Sequence, residues 1–465
     1  MDRLTRRRFL RAAAAGGLGY AFARTPGVAF AQMTGGATLT DYKALVCVFL
    51  FGGNDSWNMV VPRSTAEYNV YAASRQTLAV AHDTLLPLNL AVPDASGWQF
   101  GMNPAMPELA GLFNDGRAAV IANLGPLIAP TTLSAYRSGA AQLPPQLFSH
   151  NDQQDQWQTL RGRAPSKTGW AGRIADVLAA SVTAQQAPLN ISLAGQTLLQ
   201  SGNATVPYTM GAAGPQSFSG FAASGQGLAR RQAFDSVAQA AYDTVYERAF
   251  AAVQQRATRF ADGLTTVLAT APDFASLPDA PATPLSALAT QLRTVARMIA
   301  VRDQLQMSRQ VFFVSVGGFD THDDQLTDQP VLLAAVSDAL ARFDAAMLQI
   351  GIAQNVVTFT QSDFGRTLTS NGDGSDHAWG GVQLVIGGAV QGARIYGQYP
   401  LLKIGAAAAT ERADDVGGGR FIPTTSSDQY AATLARWFGV TAASDLAIVA
   451  PSLGNFGKQD LGFLA

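Results

Sequence analysis

Cysteine is all but missing. Cys47 is the one thiol in 465 residues, so no disulfide can form within the chain. It lies in the apolar run ALVCVFLF (residues 44–51), where a cysteine behaves as a small hydrophobe and is expected to be buried and inert. Histidine is scarce as well, with four in the chain. After residue 31, no apolar run approaches the roughly 18 residues that cross a bilayer, so no helical membrane span is expected in the mature protein. No basic patch or arginine-rich helix stands out, which argues against nucleic acid as a partner. No internal repeat is visible. What remains is ordinary globular composition: 48% hydrophobic, 14% charged, with 45 glycines for tight turns.

The formal net charge of −1 conceals a basic leader. Residues 1–31 carry six arginines and one aspartate, so the remainder holds 26 basic and 32 acidic residues, a net of −6. Thr5-Arg6-Arg7-Arg8-Phe9-Leu10-Arg11 fits the bacterial twin-arginine export signal, and Ala29-Phe30-Ala31 supplies a small-residue cleavage pattern before Gln32. The expectation is a signal peptide over 1–31, the twin-arginine export machinery as partner, and a periplasmic or secreted mature protein. That route carries chains already folded, which suits a protein with no disulfide to form.

Continuous apolar runs bounded by turn residues read as strands buried on both faces. They occur at Ala44 to Phe51, Ala118 to Leu124, Gln310 to Val316, Val356 to Phe359 and Gln383 to Ile386. Helical patterns intervene at Pro107 to Phe113, Leu285 to Ile299, Val336 to Met347 and Asp428 to Phe438, the last with Asp428 as its expected cap. Such alternation implies an α/β fold, a sandwich around a mostly parallel sheet. Residues 201–227 read as a surface insertion and 228–265 as helical; together they cap the strand ends or pack at the side. The whole of 32–465 is expected to be one domain, with about 160–305 as an insertion.

In open α/β sheets ligands bind beyond the carboxyl ends of the strands. Asp55, Asp320 and Asp363 all follow predicted strands, in the stretches GGND, GGFDTHDDQ and TQSDFGRT, and His377 stands in NGDGSDHAWGG. Aspartate and histidine from separate loops suit a divalent metal such as Zn²⁺ or Mn²⁺, or acid–base work. Taken singly, each acid equally suits capping a turn. His322, two residues after Asp320, points the same way on an extended loop and serves as a ligand or a proton donor. Arg366 either holds an anionic substrate or pairs with Asp363. Ser149, ahead of a predicted helix, is an N-cap or a nucleophile. Asn371 and Asp373 read as a turn, Trp379 as packing on the His377 loop, and His82 as surface without a partner.

These motifs, with the late IPTTSSDQYAATLARWFGV, resemble the bacterial DUF1501 family over nearly the whole mature chain. That family is similar to the alkaline phosphatase–sulfatase superfamily, of which it looks like a distant branch. The resemblance implies a three-layer αβα, alkaline phosphatase-like core and a two-metal site for hydrolysing phosphate or sulfate esters. On it, Asp55, Asp320, Asp363 and His377 are metal ligands and Ser149 the nucleophile. Two departures stand out: Phe364 occupies a place the superfamily gives to a metal histidine, and Asp324 replaces the histidine four residues past Asp320. Fewer nitrogen ligands imply one ion rather than two, a harder ion (Mg²⁺, Ca²⁺ or Mn²⁺), or lost hydrolysis. The expected function is an exported metal-dependent hydrolase of anionic esters; the alternative is a non-catalytic exported binding or assembly protein that keeps the fold with a degenerate site.

Overall fold

Lys43–Leu50 (β1) lies in the interior of the main sheet because alternate side chains find apolar cover on opposite sides. Ala44, Val46, Val48 and Leu50 join one core, and Leu45, Cys47 and Phe49 join the other. Cys47 is buried as expected, and burial pushes its thiol up. The computed structural model describes residues 39–465 except 216, 217, 219, 279–281 and 284; the expected leader lies outside the described residues.

The other strands, in chain order, are β2 (Val60–Pro62), β3 (Leu86–Leu88), β4 (Phe100–Met102), β5 (Ala118–Gly125), β6 (Asn190–Ser192) and β7 (Tyr208–Thr209). They continue with β8 (Arg309–Val316), β9 (Val356–Ser362), β10 (Arg366–Ser370), β11 (Ser375–His377), β12 (Gly381–Ile386), β13 (Ile395–Gly397) and β14 (Thr425–Ser426). The main sheet runs β13-β5-β12-β9-β1-β8-β6-β7, with β14 also on β5. Every pairing in it is parallel except those of β12, which opposes both β5 and β9. Helices Pro107–Asn114, Ala287–Ala300 and Gln325–Gln349 cover one face, with Leu109, Leu292 and Leu340 in its core. Helices Trp170–Leu178, Ser427–Phe438 and Ala443–Val449 cover the other, with Ile174, Leu434 and Leu446. The three-layer αβα sandwich is the observed architecture.

Much of 160–305 is built into this sandwich. Trp170–Leu178 and Ala287–Ala300 cover opposite faces, and β6 and β7 extend the sheet beyond β8. β6 has three residues, too short for a periodicity to show. Helices Gly225–Ala238 and Val245–Leu268 pack at the side: Leu264 and Leu268 enter the first core, and Arg297 donates to the Leu268 carbonyl at 2.8 Å.

The cap of the Ser427 helix differs from expectation. Ser426 is the N-cap: its hydroxyl accepts from the Asp428 amide, and Gln429 returns to the Ser426 amide at 2.8 Å. Asp428 instead accepts from the Ser452 amide at 2.9 Å.

The register sets up the site. Leu50 lies opposite both Val316 and Ser362, so β1, β8 and β9 end at one level and their loops leave side by side. Ser362 locks two of them, donating to the Leu50 carbonyl at 2.7 Å and accepting from the Asn54 amide at 2.8 Å. Gly52 has φ +114°, and a Cβ there would stand 2.4 Å from the Asp320 amide nitrogen. Only glycine lets these two loops touch.

Candidate metal centre

Four segments supply the site. Asp320 and His322 come from the loop after β8, and Asp363 directly follows β9. The β10–β11 hairpin sets Arg366 opposite His377. His150 opens the helix His150–Thr159.

Asp320 is where they meet. Its Oδ1 lies 2.7 Å from Arg366 Nη1, 3.0 Å from His322 Nε2 and 3.3 Å from His377 Nε2. Its Oδ2 lies 3.4 Å from His150 Nε2. Each imidazole turns its other nitrogen to an acceptor. His150 Nδ1 is 2.7 Å from Asp363 Oδ2, His377 Nδ1 is 2.8 Å from the Phe148 carbonyl, and His322 Nδ1 is 3.3 Å from Asp376 Oδ1. With the Nδ1 hydrogens assigned to these acceptors, each neutral ring presents the lone pair of Nε2 towards Asp320. The ligand atoms of His150, Asp320 and His377 all lie within 4.8 Å of one another.

Packing holds this geometry. Phe364 sits beneath the rings, 4.8 Å from His150 and 4.4 Å from His377 between centroids. Phe148 has φ +73°, a conformation costing on the order of 1–3 kcal/mol, and that turn delivers the carbonyl that orients His377. Trp379 shares a small apolar cluster with Leu127, Ile422 and the flanking Phe148. Asn371 makes the expected turn, accepting from the Gly374 amide at 2.9 Å.

Electrostatics favour an ionised Asp320 and a neutral His377. Burial pushes the Asp320 carboxyl up, but the hydrogen bond and charge of Arg366, aided by His150 and His322, bring it below its ordinary range. Burial pushes His377 down, and the charges of His150 and Arg366 add to this against the Phe148 hydrogen bond and Asp320. Asp363 is fully buried; Gln154 donates to its Oδ2 at 2.8 Å, while among the described residues its Oδ1 has no hydrogen-bond partner. This donor set fits a divalent cation: imidazole nitrogens whose Nδ1 atoms face acceptors, and one half-exposed carboxylate.

Of the residues singled out in the sequence, Asp320, His322, Asp363, Arg366 and His377 share this locus. Arg366 pairs with Asp320 and not with Asp363, a correction: its fully buried guanidinium also donates to the carbonyls of Gly52 and Ser375, so it is not a free fork for substrate. Asp55 lies apart, sealed against Arg75, with Gln325 donating to the same carboxylate oxygen. Ser149 is the N-cap by position, but its hydroxyl donates to Asp152 Oδ2 at 2.7 Å. His82 is not without partners: its Nε2 lies 2.8 Å from the Arg63 carbonyl and its ring packs edge-on against Tyr68.

His150 is the participant that sequence reasoning missed. The available sign was its place beside Ser149 in FSHNDQQDQWQT; its partner Asp363 lies 213 positions away, beyond any local pattern.

The sequence signature described as "Protein of unknown function (DUF1501)" matches residues 42–449. The chain belongs to the DUF1501 family. No curated protein matches it in sequence. Among solved structures, it is similar to Ps i-CgsB in complex with k-i-k-neocarrahexaose (8% identity, 88% of this chain and 74% of that one, TM-score 0.36). It is also similar to the PsFucS1 sulfatase from Pseudoalteromonas sp. (9% identity, 86% and 68% covered, TM-score 0.35). A third is the phosphonate monoester hydrolase SpPMH from Silicibacter pomeroyi (10% identity, 86% and 73% covered, TM-score 0.33). Among the described residues of this DUF1501 member, no helix is long and apolar enough to cross a membrane.

Proposed function

We propose that this protein is an exported metal-dependent hydrolase of phosphate or sulfate esters. The observation that carries the reading is the convergence of the Nε2 atoms of His150, His322 and His377 on Asp320 at 3.0–3.4 Å. His150, Asp320 and His377 hold the ion, with Asp363 and the Phe148 carbonyl fixing the two rings. Two imidazoles and a carboxylate suit Zn²⁺ or Mn²⁺ better than Mg²⁺ or Ca²⁺, which favour oxygen-rich shells. When bound, such an ion polarises an ester oxygen and makes water a better nucleophile near neutral pH.

The remaining residues have assignable tasks. Arg366 keeps Asp320 ionised and oriented. His322 stands against the same carboxylate with Asp376 behind it, and moves the proton between attacking water and leaving group. Water is the nucleophile in this reading, and the Ser149 hydroxyl, which donates to Asp152, is left to the helix start.

The test is turnover of aryl phosphate and aryl sulfate panels by the purified exported protein with Zn²⁺, Mn²⁺, Mg²⁺ or Ca²⁺. Asp320→Ala and His377→Ala serve as controls. An absence of both bound metal and turnover sinks the proposal. The non-catalytic reading is favoured by one observation, the Phe364 ring packed against His150 and His377 with Gly53 pressed upon it. It predicts metal binding without turnover of any ester.

A further inference from the structure

We infer that the centre takes a single divalent ion and that the Arg75 guanidinium is the permanent counter-charge of Asp55. This rests on the reading of His150, Asp320 and His377 as ligands. The acids near the strand ends fall into two sets. Asp320 is open, its side chain 45% exposed, and it meets imidazoles. Asp55 is closed: its side chain and that of Arg75 are both 0% exposed and in direct ion-pair contact. Gln325 donates to the same Asp55 oxygen, Gln329 donates to the Asp55 carbonyl at 2.7 Å, and Arg75 also donates to the Thr367 carbonyl at 2.6 Å. A cation at Asp55 would have to displace a fully buried, ion-paired guanidinium.

The two sets still communicate. Gln325, bound to Asp55, accepts from the Ser375 hydroxyl at 2.6 Å, and the Ser375 carbonyl accepts from Arg366, which holds Asp320. Asp55 and Arg75 touch none of the three ligands: they tie the start of the helix Gln325–Gln349 to the β10–β11 hairpin, a structural link on which the bound ion does not depend.

Elemental analysis of the full chain, equilibrated with Zn²⁺ alone or Mn²⁺ alone, tests this. The expected result is one equivalent in the wild type, one equivalent in Asp55→Asn, and loss of the ion in His377→Ala. Circular dichroism checks that each variant is folded. Should Asp55→Asn not fold, Asp55→Leu with Arg75→Met removes both charges together and is expected to retain one equivalent. Two equivalents in the wild type overturn the inference and leave the proposed function standing, as does a folded Asp55 variant that loses the ion. No ion in the wild type overturns the proposed function and the inference with it.

Discussion

The Nε2 atoms of His322 and His377 stand 2.8 Å apart, while the Nδ1 of each ring faces an acceptor, Asp376 Oδ1 for one and the Phe148 carbonyl for the other. At that distance one ring can donate to the other, and an ion held by His150, Asp320 and His377 takes up the His377 lone pair instead. Added Zn²⁺ is therefore expected to stabilise the fold, by about 2.7 kcal/mol at a hundredfold excess over Kd. Thermal melts with and without the ion measure it. The increment disappears in His377→Ala; an unchanged increment there would show that the ion binds elsewhere.

Asp363→Asn tests the role of the buried acid. Asparagine can present its amide nitrogen to His150 Nδ1, favouring the wrong tautomer and turning the Nε2 lone pair away. Losing such a partner weakens metal binding by about 10–100-fold, read by competition with a chromophoric chelator. Ser149→Ala, by contrast, leaves both metal affinity and turnover essentially unchanged. A collapse of turnover in Ser149→Ala alone would make the serine the nucleophile.

Arg366→Lys shows what the guanidinium does beyond its charge. Arg366 reaches Asp320, Gly52 and Ser375 at once, and an ammonium cannot span all three. Leaving buried acceptors unsatisfied costs roughly 1–3 kcal/mol, and the half-exposed Asp320 places the loss toward the lower end. Denaturant titration measures it.

The buried Asp428 carries the pH dependence. Burial pushes its carboxyl up to about 7, against the ordinary 3.8, with the Ser452 amide and Arg173 opposing. The folded state thus holds this proton more tightly than the unfolded chain. Its contribution to stability is full below pH 3.8 and is lost as the pH rises towards about 7. At one pKa unit per 1.36 kcal/mol the loss is at most about 4 kcal/mol. Asp428→Asn can still accept from Ser452, so it is expected to melt higher than the wild type at pH 8 and nearly alike at pH 4. Parallel melts across pH 4 to 8 decide it; equal melting temperatures at pH 8 would refute the account.

Legibility differed between strands and side chains. β1, β8 and β9 show in the sequence because a strand covered on both faces must be apolar at every position, and ALVCVFLF and VFFVSV leave no other reading. β6 and β7 have three and two residues, and no pattern survives at that length. The helix over Gln325–Gln349 reads clearly only from its middle, because Gln325 and Gln329 are polar yet buried, spent on Asp55 rather than on the core. His322 beside Asp320 was readable, since alternate residues of an extended loop point the same way. The Asp55–Arg75 pair was not, because nothing in GGND says which cation will reach it.

By itself the sequence determined the layered α/β frame, the burial of Cys47 and the arrival of several acids at the strand ends. Those follow from apolar periodicity and turn residues, which act over a few positions. Only the tertiary structure decided which acid meets which base. Asp320 is left open to three imidazoles, Asp363 orients His150, and Asp55 is closed by Arg75. The reason is physical: a loop side chain's direction and partner depend on close approach between segments hundreds of residues apart, such as Gly52 against Asp320, and burial then decides whether a charge faces a solvent-accessible ligand site or another side chain.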